Sequence, residues 1–175
     1  LSRLRYLQQL SSQMAAHSLP RGLSFFHPVC LISTCCGLGL MPFAPGTWGS
    51  LAALPIAWVI LTHWSIYVLL ALAAILFFIG VFASNVYARR TNEKDPGPIV
   101  IDEVVGQLLV LSITPLSWSY FLTAFVLFRI TDICKPWPAS WADRSVDGGF
   151  GIMLDDIFAA AYAAAILYGL IVLFP

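Results

Sequence analysis

The chain has 175 residues, of which 59% are hydrophobic and 10% charged, with a formal net charge of zero at pH 7 and a mean hydropathy of +0.85. Soluble domains carry about 25% charged residues, so there is too little polar surface here to clothe a water-facing globule, and the chain reads as a one-domain integral membrane protein. Nine Lys plus Arg against nine Asp plus Glu leave no basic excess for a nucleic-acid partner.

Residues 1–30 hold Arg3, Arg5 and Arg21 and no acid. No apolar signal core follows those arginines, so this is expected to be a basic segment on the cytoplasmic surface, ahead of a single membrane-embedded domain over 31–175. Two apolar stretches come next, parted by Thr62-His63-Trp64-Ser65. The first, about 50–61, is short for a span and contains Pro55; the second, about 66–88, meets the ~20 residues a crossing helix needs. Beyond the charged loop "RRTNEKDPGPIVIDE", Thr114-Pro115 and Ser117-Trp118-Ser119 interrupt a long apolar run. It is expected to form a helical hairpin with arms at about 104–113 and 118–130. A polar loop over 131–156 and a last helix over 157–173 complete the chain. The expected fold is all-α: a polytopic membrane helical bundle of four to five membrane helices, including short or hairpin segments.

Arg89, Arg90, Lys94, Lys135 and Arg144 fall in the two polar loops, with Arg129 at the edge of the second. The positive-inside rule puts these loops and the N-terminal segment in the cytoplasm, and the two turns and the C-terminus outside. Cys30, Cys35, Cys36 and Cys134 show neither a paired spacing nor nearby histidines, so reduced packing thiols are expected.

No carboxylate precedes Glu93, and all nine lie between Glu93 and Asp156. Asp102 and Glu103 are expected to open one membrane helix, Asp132 to end one, and Asp155 and Asp156 to open another, all on one face. Favourable interaction with a helix N-terminus explains one acid per helix; it does not explain two adjacent pairs with Asp132 brought alongside. Ionisable groups at membrane depth are functional candidates, so a shared divalent-cation site is read at Asp102, Glu103, Asp132, Asp155 and Asp156. These acids, with Lys135, form the candidate catalytic set. Every ligand is a hard oxygen and no histidine is near, which suits Mg²⁺, with Mn²⁺ as a substitute. Mg²⁺ commonly completes its shell with substrate phosphate, so a phosphate-bearing substrate is expected. Lys135, on the stiff "KPWP" loop, Arg129, three residues before Asp132, and Arg144 are the candidate phosphate cations. Thr47 and Ser50 of "PGTWGS" offer hydroxyls beside glycine-rich backbone. Trp137 and Trp141 read as interface anchors. A Cys-x5-Arg phosphatase loop, a phosphohistidine pattern, a Walker A loop and the CDP-alcohol transferase string are all missing, which leaves metal-assisted hydrolysis.

"GLGLMPFAPGTWGSLAALP", "IVIDEVVG" and "FRITDICKPWPASWADRSVDGGFGIMLDD" together resemble the phosphatidylglycerophosphatase A family, in order and spacing, from Gly37 to Asp156. The resemblance implies a mainly helical, Mg²⁺-dependent phosphatase of the bacterial inner membrane. It would remove the terminal phosphate of phosphatidylglycerophosphate to leave phosphatidylglycerol, with its site on the cytoplasmic face. The implied partners are that lipid and the membrane. Two rivals stand beside it: a phosphatase for another lipid or isoprenoid phosphate, and a divalent-cation or proton transporter. A transporter should place its acids near the midplane, whereas these are expected at helix ends.

Overall fold

The computed structural model describes residues 19–20 and 22–173, all helix, turn and loop. Most of the expected basic segment, residues 1–18 and 21, lies outside these. Helix α1 (Pro28–Ser33) straddles its expected boundary at residue 30. His27 caps it, its Nδ1 accepting from Val29 N–H at 3.2 Å. Left-handed backbone at Cys35, Cys36 and Gly37 then turns the chain into a short 3-10 helix (Leu38–Leu40).

Helix α2 (Pro45–His63) has 19 residues and starts well before the expected residue 50. Pro45 stands in its first turn, where a missing N–H costs nothing. Pro55 is carried inside the helix. Helix α3 (Ile66–Thr91) closes with Arg89 and Arg90 in its last turn, favourable to the helix dipole, and with Asn92 left-handed as its cap. Helices α4 (Ile101–Ser112) and α5 (Trp118–Cys134) form the expected hairpin. At 12 residues, α4 is only about 18 Å long, less than the ~30 Å hydrocarbon core. A short α6 (Ala139–Ser145) interrupts the expected polar loop, and α7 (Gly148–Leu173) ends the described chain. Helices α2, α3 and α7 are long and apolar enough to cross a membrane. The protein is therefore a polytopic helical membrane bundle, as its composition requires.

One boundary needs correction. Helix α7 begins at Gly148 rather than near 157, so Asp155 and Asp156 stand two turns inside it and do not open it. The glycine-rich run before them reads as a turn but serves close packing. A Cβ on Gly149 would collide with the Val81 carbonyl and come within 2.6 Å of the Asn85 amide, both on α3. Bare backbone lets the two long helices meet there. Asp132 likewise lies inside α5, in its last turn, because that helix runs to Cys134.

Helix α4 is the bundle's axis, packed against α2, α3 and α7. Val104, Leu108 and Leu111 meet Phe121 and Phe128 of α5 and Ala159, Ala160 and Ala163 of α7 in one buried cluster. Under α1, Tyr87, Ile101, Val105 and Met153 form a second. Buried Pro98, Ile99 and Val100 lead the chain inward to α4, where Val100 N–H donates to Ser33 O at 2.8 Å.

Candidate active site

Because α2, α3, α4, α5 and α7 alternate in direction, the starts of α2, α4 and α7 gather with the ends of α3 and α5 at one end of the bundle. Asp102 and Glu103 occupy the first turn of α4, where the positive end of the helix dipole favours carboxylates. One ligand oxygen from each of Asp102, Glu103 and Asp156 lies within 4.8 Å of the other two. Thr131 sets α5 on α7 beside them, its hydroxyl donating to Ala159 O at 2.9 Å.

The five predicted acids do not form one undivided cluster. Asp132 is paired with Arg129 Nη1 at 2.7 Å, and the same nitrogen lies 3.8 Å from Glu103 Oε1. Asp155 is turned to Lys135, its Oδ2 at 2.5 Å from Nζ. That leaves Asp102, Glu103 and Asp156 facing one another, with Glu103 Oε2 and Asp156 Oδ2 buried and without a hydrogen-bond partner. Buried carboxylates without partners are strongly disfavoured unless a cation meets them. Three convergent hard oxygens with two orphaned neighbours fit Mg²⁺ and give nothing to a soft metal.

The predicted phosphate ligands are placed variously. Lys135 ends α5 in a left-handed conformation. Burial opposes its charge, but Asp155 and Asp143, the latter 2.8 Å away, outweigh burial and raise its pKa above that of an ordinary lysine. Arg129 is committed to Asp132, Glu103 and the Ser50 hydroxyl, 3.4 Å from Nη1. Ser50 is buried and donates to Gly46 O at 3.0 Å, so its hydroxyl serves the fold of α2 and the seat of Arg129. Thr47 is half-buried on α2. Arg144 is exposed on α6, its carbonyl accepting from Lys94 Nζ at 2.7 Å, and neither Thr47 nor Arg144 lines the acidic cavity.

That cavity, about 220 Å³, is lined by Asp95, Asp102, Glu103, Asp132, Lys135, Asp155 and Asp156, with Pro45, Gly46, Gly97, Ile99 and Ile133 completing its wall. Asp95 and Asp143 are not among the residues predicted for the site, because each looks like an ordinary loop charge in sequence. Gly46 is expected to matter only for its backbone. A Cβ there would collide with the Glu103 carboxylate and sit 3.2 Å from Arg129 Nη1, so its lack of a side chain is what admits Glu103. Cys35 also carries no sequence signal that ties it to the acids. Burial, followed by the nearby Asp102 and Glu103 charges, pushes its thiol pKa up.

Fold and site define a polytopic α-helical membrane protein with an acidic, lysine-bearing centre at one end of its bundle. Comparison with known proteins agrees: the family model described as Phosphatidylglycerophosphatase A matches residues 31–171, and the chain belongs to that family. It is 42% identical over 149 residues to the phosphatidylglycerophosphatase A of Escherichia coli K12, covering 83% of this chain and 85% of the relative. It is 38% identical over 149 residues to that of Haemophilus influenzae Rd, covering 85% and 91%. A Bacteroides thetaiotaomicron protein provisionally named phosphatidylinositol-3-phosphatase is 38% identical over 151 residues, covering 79% and 89%. No solved structure matches the chain.

Proposed function

We propose that the chain hydrolyses the terminal phosphomonoester of phosphatidylglycerophosphate to give phosphatidylglycerol and phosphate, at the cytoplasmic face of a bacterial inner membrane. The observation that carries this is the meeting of Asp102, Glu103 and Asp156 within 4.8 Å in a cavity that also holds Lys135. Its family membership and the names of its two phosphatidylglycerophosphatase relatives support the substrate. The cytoplasmic placement rests on Arg89, Arg90, Lys94 and Arg144, all beside this end of the bundle.

In the reaction a water oxygen bonds to phosphorus, the bond from phosphorus to the terminal glycerol oxygen breaks, and that oxygen leaves with a proton as the alcohol. Asp102, Glu103 and Asp156 would hold Mg²⁺, which supplies Lewis acidity and an acidified water when bound. Lys135 offsets the charge spread over the phosphoryl oxygens, a role that needs a cation fixed before the reaction. Asp155 and Asp143 fix it. Arg129 balances Asp132 and steadies Glu103 against Gly46, so it is a positioning residue more than a phosphate ligand.

The test is phosphate release by purified protein from phosphatidylglycerophosphate, phosphatidic acid and a soluble phosphomonoester, with and without Mg²⁺. Metal-dependent release from the first, at least tenfold faster than from the others, is expected; equal turnover of all three would end the assignment. The Bacteroides relative's name favours, as a second reading, a phosphatase for a different lipid phosphomonoester, and preference for a second lipid in the same panel would select it. Conduction fits less well. Although Asp155 and Asp156 stand inside α7, their cavity is lined by the exposed loop residues Asp95 and Gly97, which supports a site at one face more than one at the midplane.

A further inference from the structure

An amphiphile must bring its phosphate to the acids while its tails stay in hydrocarbon, so some side of the cavity has to face the bilayer. Helix α5 carries an exposed apolar stripe that ends at the cavity wall. Leu122 is 53% exposed, Val126 50%, Ile130 52% and Ile133 71%, a spacing of four, four and three that keeps them on one helical side. Ile133 itself lines the cavity, as do Pro45 and Gly46 at the start of α2.

The two flanks of α5 differ. Toward α7 the helix is held by Thr131 Oγ1 donating to Ala159 O, and the loop that follows α5 is held to α7 by Tyr162 Oη donating to Trp137 O at 2.7 Å. Toward α2 the helices are clasped at their far ends, where Trp58 stacks on Trp118 at 4.3 Å and meets Phe121 edge-on. Nearer the site Arg129 meets the Ser50 hydroxyl between them, and both side chains are sunk below the surface. Beyond this buried crossing, Gly46 of α2 and Ile133 of α5 both line the acidic cavity, so the line between the two helices leads to it. The exposed apolar residues of α3 lead elsewhere, since no α3 residue lines the acidic cavity.

We propose that the α2–α5 seam admits the lipid substrate sideways from the bilayer, its acyl chains lying along Leu122, Val126 and Ile130 while its phosphate passes Gly46 and Ile133 to the acids. The inference rests on the lipid-phosphatase reading above. A seam with an apolar wall and a charged end matches one occupant, a bilayer phospholipid with a terminal phosphomonoester. It also supplies selection against soluble phosphates, which gain nothing from the stripe.

The experiment compares long-chain phosphatidylglycerophosphate in mixed micelles with its soluble dihexanoyl form. Ile130→Trp and Val126→Trp narrow the seam while keeping an apolar lipid-facing side chain; Phe78→Trp, on the exposed side of α3, is the control. The ratio of long-chain to short-chain kcat/KM should fall about tenfold in the seam variants, a scale reached by small volume changes in apolar pockets. The fall should come through KM, with Phe78→Trp keeping the parental ratio. A photoreactive phenylalanine at Ile130 should capture a long-chain analogue at least several-fold more than one at Phe78, which keeps the test decisive if tryptophan unfolds the chain. An unchanged ratio in the seam variants, or equal capture at both positions, overturns the seam while parental lipid turnover stands. A parental protein inactive on both lipid forms overturns the underlying reading instead.

Discussion

Lys135 Nζ lies between two carboxylates, 2.5 Å from Asp155 Oδ2 and 2.8 Å from Asp143 Oδ1. One partner comes from two turns inside α7 and the other from α6, so a single ammonium ties these two helices together. The lysine is fixed in place before any substrate arrives.

Removing Asp143 tests that arrangement through pH. Asp143 helps to raise the Lys135 pKa, so Asp143→Asn lowers it and the lysine loses its proton at lower pH. The parent, whose lysine titrates above the ordinary value, should hold its kcat/KM up to about pH 10.5, whereas Asp143→Asn should begin to lose activity at a lower pH. An alkaline fall in the parent that begins no later than in Asp143→Asn would show that Asp143 does not hold the Lys135 proton. Lys135→Met should cost at least about 10²-fold in phosphate release, the scale of one preorganised electrostatic contact.

Asp156→Asn separates chemistry from folding. Its Oδ2 is buried and unpartnered beside two other carboxylates, so neutralising it relieves repulsion in the metal-free protein. Thermal unfolding in chelator should occur no lower than in the parent, while activity in Mg²⁺ falls at least about 10²-fold. A variant that is less stable in chelator yet active would assign Asp156 to structure.

Gly46→Ala adds one carbon against the Glu103 carboxylate. Activity should drop more than about tenfold while the protein still inserts and purifies, because a misplacement near 1 Å costs up to ~10² in rate. Gly106→Ala should act differently: its Cβ would come within 2.6 Å of the Phe128 ring in the core, costing about 1–3 kcal/mol of stability by overpacking. Identical activity and stability profiles for the two variants would contradict their separate placement.

Metal exchange tests the donor set. Chelation should abolish turnover, and Mg²⁺ or Mn²⁺ should restore it, since Asp102, Glu103 and Asp156 offer only hard oxygens. Turnover that persists in excess chelator would require a protein nucleophile.

The thiols give a check that needs no substrate. Cys36 and Cys134 are exposed and Cys30 is buried, while burial and the neighbouring acids keep the Cys35 thiol protonated. Alkylation near pH 8 should therefore label Cys36 and Cys134 well before Cys30 and Cys35, read by mass spectrometry, since the thiolate is the reacting form. Early labelling of Cys35 would place it away from Asp102 and Glu103.

Much of the site is legible in the sequence because charge is scarce in the chain: acids in an oily sequence mark themselves, and Asp102, Glu103, Asp132, Lys135, Asp155 and Asp156 all line the cavity. Their division is not legible there. Which acid meets Arg129, which meets Lys135 and which remain to face one another depends on how α4, α5 and α7 rotate in their packing, and hydropathy carries no such angle. The start of α7 is hidden for a related reason. Gly148-Gly149-Phe150-Gly151 looks like a loop until α3 is beside it, when the missing side chains become the condition for contact. Arg144 draws the eye by its charge and its neighbour Asp143 does not, yet it is Asp143 that reaches Lys135.

The placement of Asp156 in the final helix has a consequence in time. A ribosome delivers this chain from its start, and early segments settle before later ones exist. Asp102 and Glu103 reach the membrane first, and Arg129 is the earliest cation able to meet Glu103. Asp156 comes about fifty residues after Glu103, with most of α7 still to follow. A nascent chain that stalls before α7 therefore carries two of the three convergent carboxylates and no complete centre. On the function proposed above, such a chain should release no phosphate until α7 is in the bilayer.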